Sequence, residues 1–342
     1  MLRRWSTIMV GRQFASSQSN GQRTFAGLKW APLPVGAGLA YICYQQYHHI
    51  RDRDKTREDM ENPWPKWRID LYTALPLNTV SRAFGWVADC EIPRWLRKPL
   101  FGLYSRKYNC NIDEAVEPDL SKYRSLMHFF GRSVKPHLRP ISESCLVSPA
   151  DGVVLQYGRV LEGRVRHVKG HDYDVYEFLG PFNTDNKKDT SLYAMVIYLG
   201  PGDYHGFHSP TNWTVHLRRY FPGLLISVQH AVLRGVPRLL CINERVVLNG
   251  EWKHGFFSYT AVAATNVGNI SILADPELRT NLPPDKEMSE KALTEKFVPG
   301  EKIGDFRLGS TIVLVFEAPD NFNFTVKAGD HMRYGETIGM TV

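Results

Sequence analysis

GEKIGDFRLGSTIVLVF, residues 300–316, places a Gly-Ser-Thr step directly before a run of β-branched and apolar residues. The run Thr311–Phe316 has the length and the composition of a buried strand. A Gly-Ser-Thr sequence before a strand is, taken alone, most often an ordinary turn. The stretch therefore predicts a core strand with a polar step at its start.

Short runs of the same kind recur from about residue 141 onwards, separated by Gly, Pro and Asn. They are residues 153–157, 192–199, 239–242, 245–248, 256–263 and 270–273. Asp151-Gly152 and Asn249-Gly250 are tight-turn signals between such runs. The sequence has neither a βαβ alternation nor a glycine-rich nucleotide fingerprint. Residues 141–342 are therefore predicted to form a β-rich, mainly antiparallel core, with residues 275–299 as a polar loop.

The first fifty residues differ from the rest of the chain in charge. They hold five basic residues and no acidic one, whereas the whole chain has 42 Lys and Arg against 35 Asp and Glu, a net charge of +7. Because most of this excess lies in the leader, the composition does not favour a nucleic-acid binder. Residues 1–29 are acid-free and contain Arg and Ser, which predicts a mitochondrial transit peptide. A disordered basic tail is the alternative.

Residues 30–50 are predicted to form a single transmembrane anchor. The segment contains no Lys, Arg, Asp or Glu, and a spanning helix needs ~20 largely apolar residues. Trp30 and Tyr44 or Tyr47 have the place of interfacial aromatic residues. A buried hairpin of the folded domain is the alternative.

Residues 51–140 are predicted to contain a mixed-charge linker followed by amphipathic helices. Apolar residues recur at helical spacing in two sets, which are Leu71, Leu75, Val80, Phe84 and Val87, and then Ile92, Trp95, Leu96, Leu100 and Leu103. Lys and Arg residues interleave with the second set, a pattern that suits helices lying in a membrane interface. It suits helices packed on the core equally well, and the predicted anchor upstream favours the membrane. The predicted fold class is α+β, with these helices and the anchor preceding the β-rich core.

Cysteine and histidine spacing does not predict a metal site. The five cysteines contain no C-x-x-C pair, which argues against a disulfide framework and a structural zinc. His205 and His208 stand three residues apart, and on a strand such residues point to opposite faces. Both reach one site only if Gly206 bends the chain.

Three motifs, taken in order, carry more information together than each does alone. They are Pro149-Ala150-Asp151-Gly152, then Asp203-Tyr204-His205-Gly206-Phe207-His208-Ser209-Pro210, and then the stretch from Gly300 to Thr311. Together they resemble the signatures of the phosphatidylserine decarboxylase family, from about residue 69 to the C terminus. Further matches are Lys169-Gly170-His171, Phe221-Pro222-Gly223, Asn243-Glu244-Arg245-Val246 and Ala264-Thr265-Asn266-Val267-Gly268. The sequence departs from the family at 227–230, where Ser-Val-Asn-Pro is common.

The resemblance implies a proenzyme that cuts itself between Gly309 and Ser310, giving a large β chain and a small α chain (310–342). Ser310 is then the nucleophile, His208 its base and Asp151 the residue that orients the base. Ser310 becomes a covalent pyruvoyl group, the enzyme's cofactor. His205 is our candidate for the proton donor in the second reaction, and a buried structural histidine is the alternative for it.

The implied activity is decarboxylation of phosphatidylserine to phosphatidylethanolamine and CO2 through a Schiff base on the pyruvoyl group. The implied partners are phosphatidylserine in the membrane and the enzyme's own two chains as a heterodimer; a dimer of heterodimers stays open. The leader and anchor predict the mitochondrial inner membrane, with the catalytic domain in the intermembrane space.

Two other functions are weighed against this one. A membrane-anchored hydrolase using Asp151, His208 and Ser310 on external substrates is disfavoured because the G-x-S-x-G elbow is absent. A non-catalytic lipid-binding scaffold is disfavoured because all four reactive positions are filled.

Overall fold

The protein is described by a computed structural model that covers residues 64–165, 173–184, 189–265, 269–283, 286–306 and 310–341. The predicted transit peptide, membrane anchor and linker at 1–62 lie outside these residues, and so does Gly309. Within the described part, no helix combines the length and the apolar composition that a membrane crossing requires.

Helices dominate residues 64–108, where the sequence predicts them. The described α-helices are α1 (Lys66–Thr73), α2 (Leu77–Asp89), α3 (Arg94–Tyr108), α4 (Leu126–Phe130), α5 (Val175–Leu179), α6 (His230–Gly235) and α7 (Leu239–Ile242). A proline stands directly before each of α1, α2 and α3, where its fixed φ suits the start of a helix. Asn109 ends α3 in a left-handed conformation with φ of 54°, a common helix stop. Both predicted stretches contain helices, but the first is divided between α1 and α2, with Leu75 in the turn between them.

Strands are the main regular structure among the described residues after 145, and all the described strand pairs are antiparallel. They are β1 (Leu146–Val147), β2 (Gly152–Arg159), β3 (Arg164–Val165), β4 (Tyr173–Asp174), β5 (Thr190–Leu199), β6 (Gly206–His208), β7 (Trp213–Phe221), β8 (Arg245–Trp252), β9 (Gly255–Val262), β10 (Ile270–Ile272), β11 (Ser289–Phe297), β12 (Lys302–Phe306), β13 (Ser310–Pro319), β14 (Phe322–Phe324), β15 (His331–Met332) and β16 (Thr337–Thr341). The largest sheet has eight strands in the order β11-β7-β8-β9-β13-β5-β2-β15. The predicted β-rich, antiparallel core is confirmed.

β13 lies in the middle of this sheet. It pairs with β5 along its whole length, from Ser310 opposite Leu199 to Pro319 opposite Thr190. On its other side it pairs with β9. All its residues except Pro319 are buried. The predicted core strand Thr311–Phe316 is thus confirmed, and it extends at both ends.

The predicted turn at Asn249-Gly250 is wrong. Both residues lie inside β8, and the chain turns at 253–254 instead. A Cβ atom at Gly250 would lie 1.9 Å from the carbonyl oxygen of Thr214 on β7. Glycine occupies this position because two strands approach closely there, which is the other common reason for glycine within a strand.

Two further predictions of local structure are wrong. The predicted strand Leu239–Ile242 is the short helix α7, because a short apolar run does not distinguish a buried strand from a buried helical turn. The predicted loop 275–299 contains the strand β11. β11 is the outermost strand of the large sheet and mostly exposed, so its polar composition fits an edge strand.

Three strand ends meet at one end of the large sheet. β2 and β13 begin there, and β5 between them ends there, since Val153 and Thr311 both pair with Tyr198. The chain leaves β5 through a loop and then enters β6, which pairs with β12. The residue before β2, the first residue of β13 and the loop after β5 therefore lie close together.

Candidate active site

Ser310 is the first residue of β13 and has no exposed surface. Its hydroxyl oxygen is buried and has no hydrogen-bond partner among the residues that the structure describes. A buried hydroxyl is normally hydrogen-bonded. This oxygen is therefore free to act as a nucleophile at the end of the sheet where the three strand ends meet.

His208 is held as a neutral imidazole with a defined tautomer. Its Nδ1 lies 2.8 Å from the carbonyl oxygen of Gly300, and its Nε2 lies 3.2 Å from the hydroxyl of Tyr204. A carbonyl oxygen only accepts hydrogen bonds, so Nδ1 carries the proton and Nε2 has the free lone pair. Burial lowers the pKa of His208 to about 4. A neutral ring with a lone pair at Nε2 is the form that a general base requires.

Asp151 contacts a cation and a backbone amide instead of His208. Its Oδ2 lies 2.6 Å from a guanidinium nitrogen of Arg139, and its Oδ1 accepts a hydrogen bond of 2.9 Å from the backbone N–H of Tyr334. Burial raises the pKa of Asp151, while Arg139 acts in the opposite direction. The described side chains of Asp151 and His208 form no direct hydrogen bond, although the implied triad includes one.

Tyr334 connects these two residues. Its ring lies flat on the His208 ring, with centroids 3.9 Å apart and an interplanar angle of 2°. Its backbone N–H binds Asp151. Asp151 therefore fixes a segment whose aromatic ring fixes the imidazole.

His205 lies in different surroundings from His208. Its Nδ1 donates to the carbonyl of Asp203 at 2.8 Å, and its buried Nε2 has no partner among the described residues. Burial is the main reason that the pKa of His205 falls to about 4. The Phe130 ring packs nearly perpendicular to this imidazole. The two histidine rings therefore lie in different surroundings, as their spacing predicts.

Gly206 permits this divergence. A Cβ atom at this position would lie 2.0 Å from the hydroxyl of Tyr204. Without a side chain at Gly206, the Tyr204 ring folds back over the chain and reaches His208. The sequence motif between the two histidines thus has a steric role.

Comparisons with known proteins agree with these features. The family described as phosphatidylserine decarboxylase matches residues 126–340. The chain belongs to the phosphatidylserine decarboxylase family. It is 51% identical to the mitochondrial phosphatidylserine decarboxylase proenzyme of Caenorhabditis elegans over 284 residues, which cover 82% of this chain and 75% of the relative. The corresponding rat protein is 43% identical over 350 residues, covering 93% and 86%, and phosphatidylserine decarboxylase proenzyme 1 of Saccharomyces cerevisiae is 34% identical over 442 residues, covering 99% and 88%.

Membership of the phosphatidylserine decarboxylase family confirms the resemblance predicted from the motifs, and all four predicted site residues lie within the matched range. The pyruvoyl group implied by that resemblance fits the position of Ser310. Among the described residues, the serine side chain has no hydrogen-bond partner that its conversion would lose. The backbone of β13 pairs with strands on both sides, so the strand stays held when its first residue changes.

Several residues of the site are not predicted by the sequence. They are Arg139, Tyr204, Gly300 and Tyr334. Tyr204 and Gly300 both stand inside motifs that the sequence analysis singled out, and those positions were the available signal. The roles themselves were not predictable, because Gly300 acts through a backbone carbonyl, which any residue carries. Tyr334 acts through a stacked ring, for which the sequence carries no distinctive pattern.

A cavity of about 490 Å³ lies between α2 and the chain on either side of β10. Arg82 and Trp86 of α2 line one side, and Asn269 and Asn281 line another. Asn269 directly precedes β10, whose first residue pairs with the last residue of β12. The cavity thus has walls from the helical segment and from the chain next to β10.

Proposed function

We propose that this chain is a phosphatidylserine decarboxylase that activates itself by cutting the Gly309–Ser310 bond. The observation that carries the proposal is the buried hydroxyl of Ser310 at the start of the central strand, which has no hydrogen-bond partner among the described residues. His208, whose ring is neutral and oriented by the carbonyl of Gly300, lies on β6, which follows the loop after β5. The fold supports an intramolecular reaction because it fixes the groups before any substrate arrives.

The first reaction is proposed to begin when Nε2 of His208 takes the hydroxyl proton of Ser310. The freed oxygen attacks the carbonyl carbon of Gly309, the peptide C–N bond breaks, and the two chain parts are joined by an ester. Loss of the Cα proton of Ser310 then breaks the bond between Cβ and the ester oxygen, which releases Gly309 as a carboxylate. Water replaces nitrogen at Cα, ammonia leaves, and a pyruvoyl group remains.

Tyr204 must release Nε2 of His208 for this step, because its hydroxyl donates to that nitrogen in the described structure. Asp151 is proposed to act as a positioning residue. Its carboxylate holds Tyr334, and Tyr334 holds the plane of the His208 ring.

The pyruvoyl group supplies a carbonyl that condenses with the substrate amine and withdraws the electron pair left by departing CO2. His205 is proposed to move the proton in this second reaction. It is neutral, with a lone pair at Nε2, so it must first receive a proton. The substrate's ammonium group provides one, and His205 returns it to the carbon that has lost CO2.

The two chains are proposed to remain together after cutting. β13 pairs with β5 and β9, which belong to the larger chain, and β1 of the larger chain pairs with β16 of the smaller one. A heterodimer of the two chains is therefore the expected mature enzyme.

The relatives are named as mitochondrial proteins, and we propose the mitochondrial inner membrane for this chain, with one span at residues 30–50 and the catalytic domain in the intermembrane space. Protease is expected to digest the domain in mitoplasts but not in intact mitochondria. Protection of the domain in mitoplasts would place it in the matrix instead.

Incubation of the purified protein with vesicles containing carboxyl-labelled phosphatidylserine tests the function. Labelled CO2 and phosphatidylethanolamine are expected in equal amounts, and Ser310→Ala is expected to form neither. Release of serine or fatty acid by the wild-type chain, with no phosphatidylethanolamine, would indicate the hydrolase instead.

A further inference from the structure

Arg132 has an unusual environment for a buried cation. It lies between α4 and the loop that follows β5, and only 5% of its surface is exposed. One terminal guanidinium nitrogen, Nη1, is buried and lacks a hydrogen-bond partner among the described residues. No described carboxylate lies within ion-pair distance of the side chain. Burying a charge without a partner is costly, so the arrangement calls for an anion.

The guanidinium lies next to His205. Nη2 of Arg132 donates to the carbonyl oxygens of Gly202 and Asp203, at 2.9 and 3.2 Å. His205 donates to the same Asp203 oxygen from Nδ1. Two side chains that share one acceptor must be neighbours. Each of them also has a buried nitrogen without a hydrogen-bond partner among the described residues, Nη1 of Arg132 and Nε2 of His205.

Aromatic rings shield this pair from water. The guanidinium lies over the Phe129 ring, 5.2 Å from its centroid, and Phe130 packs edge-on against His205. An anion bound here would interact with Arg132 at low local dielectric, where such a contact is strong.

We propose that Arg132 binds the phosphodiester of the substrate headgroup, with Nη1 donating to a non-bridging oxygen. The inference rests on the proposed function, in which His205 transfers a proton to the carbon that has lost CO2. Guanidinium donors match the geometry of phosphate oxygens. Arg132 is thus a binding residue that fixes the distance between the phosphate and the carbon that loses CO2.

The alternative anion on the same headgroup is the serine carboxylate. That group loses its charge as CO2 departs, so a cation bound to it would stabilise the substrate more than the transition state and slow the reaction. The phosphodiester keeps its charge throughout. A cation bound to it lowers KM without opposing the chemical step, which favours the phosphodiester.

Arg132→Gln and Arg132→Lys test the proposal, with Arg97→Gln as the matched control. Arg97 is also a buried arginine of the helical segment, but Ile92, Ser121 and Glu91 together occupy all three of its nitrogens. The measurements are the fraction of cut chain, kcat and KM for phosphatidylserine, and inhibition by glycerophosphoethanolamine or by L-serine. The first inhibitor has the phosphodiester and no carboxylate, and the second has the carboxylate and no phosphate.

Arg132→Gln is expected to weaken inhibition by glycerophosphoethanolamine, and to raise KM, by roughly tenfold to a hundredfold, as for loss of a hydrogen bond to a charged group. Inhibition by L-serine and kcat in the cut fraction should change much less, and Arg132→Lys should be intermediate. Unchanged inhibition by glycerophosphoethanolamine would overturn the proposal, as would an effect confined to L-serine. An equal effect of Arg97→Gln would reduce the role of Arg132 to stability.

A binding measurement tests the proposal even if the Arg132 variants do not cut themselves. Glycerophosphoethanolamine is titrated into the uncut Ser310→Ala protein with and without Arg132→Lys, and the weaker binding is expected with lysine. Equal binding would overturn the proposal. This measurement needs no turnover, so a wild-type protein that forms no phosphatidylethanolamine would refute the proposed function separately.

Discussion

At the scale of single residues, the site depends on how a neutral imidazole is oriented. In a directly bonded triad the aspartate holds the histidine tautomer, and its loss as Asn costs ~10⁴-fold in rate. Here the carbonyl of Gly300 fixes the tautomer of His208, and the ring of Tyr334 fixes its plane. The carboxylate of Asp151 acts on Tyr334 and Arg139.

This arrangement predicts an order of effects on self-cutting. His208→Ala should abolish cutting, whereas Asp151→Asn should slow it by less than the ~10⁴-fold of a directly bonded aspartate. Tyr334→Ala should slow cutting through loss of the stacked ring, and Tyr334→Phe, which keeps the ring, is the control. The rate is read on denaturing gels after cell-free synthesis. Cutting by Tyr334→Ala at the wild-type rate would show that Tyr334 does not position the His208 ring.

His205→Ala should separate the two reactions. The cut chain should still form, because His205 contacts Asp203 and Phe130 instead of the residues around His208. Turnover should fall by ~10²–10⁴-fold, the usual contribution of general acid–base catalysis. Cut fraction and phosphatidylethanolamine formation are measured on one sample. Normal turnover by the cut variant would exclude the proton-transfer role.

The pH dependence of cutting follows from the lowered pKa of His208, about 4. The ring stays neutral and able to accept a proton until the pH approaches that value. The rate should therefore hold as the pH falls through the ordinary histidine range near ~6.5, and drop only near 4. Because burial also raises the pKa of Asp151, the profile is repeated with Asp151→Asn. An acid limb near 6.5 in both proteins, with the fold intact by circular dichroism, would contradict this prediction.

Whether the sequence predicts a residue of the site depends on the kind of contact that the residue makes. Asp151, His205, His208 and Ser310 are predicted because they stand in motifs of reactive side chains. Arg132 stands outside these motifs, and only the structure reveals that Nη1 has no hydrogen-bond partner among the described residues. Gly300 begins one of the motifs, but it contributes a backbone carbonyl, a role that no side-chain pattern predicts.

At the scale of elements, α2 and α3 present large apolar side chains to solvent. Trp86 on α2 is 73% exposed, and Trp95 and Leu103 on α3 are 78% and 68% exposed. Arg94 and Lys98 lie on the same helix as Trp95. Exposed apolar surface of this extent, next to basic residues, is typical of a face that contacts a membrane.

Placing acidic residues on this face should weaken membrane binding. Trp95→Glu with Leu103→Glu should reduce sedimentation with vesicles that contain phosphatidylserine, because charge enters an apolar contact. Cutting should be unaffected, since these side chains are exposed and lie outside the site. Leu161→Glu, which changes another exposed leucine in a β-turn region, is the control. Equal sedimentation of the double variant and the control would show that α3 does not contact the bilayer.

Elements were predictable where local pattern and packing agree. Thr311–Phe316 is apolar throughout because both faces of β13 are buried, and the sequence marks it clearly. Gly250 was predicted as a turn because close approach of β7 and a turn both require glycine. β11 was missed because an exposed edge strand needs few apolar residues.

At the scale of the whole molecule, cutting and packing involve the same strand. β13 begins at the reactive serine and forms the centre of the eight-stranded sheet. The order of strands around it depends on pairings between residues far apart in the chain, which local periodicity does not specify. The sequence predicted an antiparallel sheet, and the structure places the reactive residue at the start of its central strand.

Ser310 is proposed to be both the nucleophile of self-cutting and the source of the cofactor. Intact-mass spectrometry of the purified, denatured protein measures both roles at once. We expect one chain that ends at Gly309 and a second that spans 310–342, lighter by one ammonia than the serine-initiated peptide and shifted by two hydrogens after borohydride reduction. Ser310→Ala should give a single uncut chain. A wild-type chain that stays whole, a 310–342 fragment with a free serine amine, or cutting at this bond in Ser310→Ala would show that Ser310 does not have both roles.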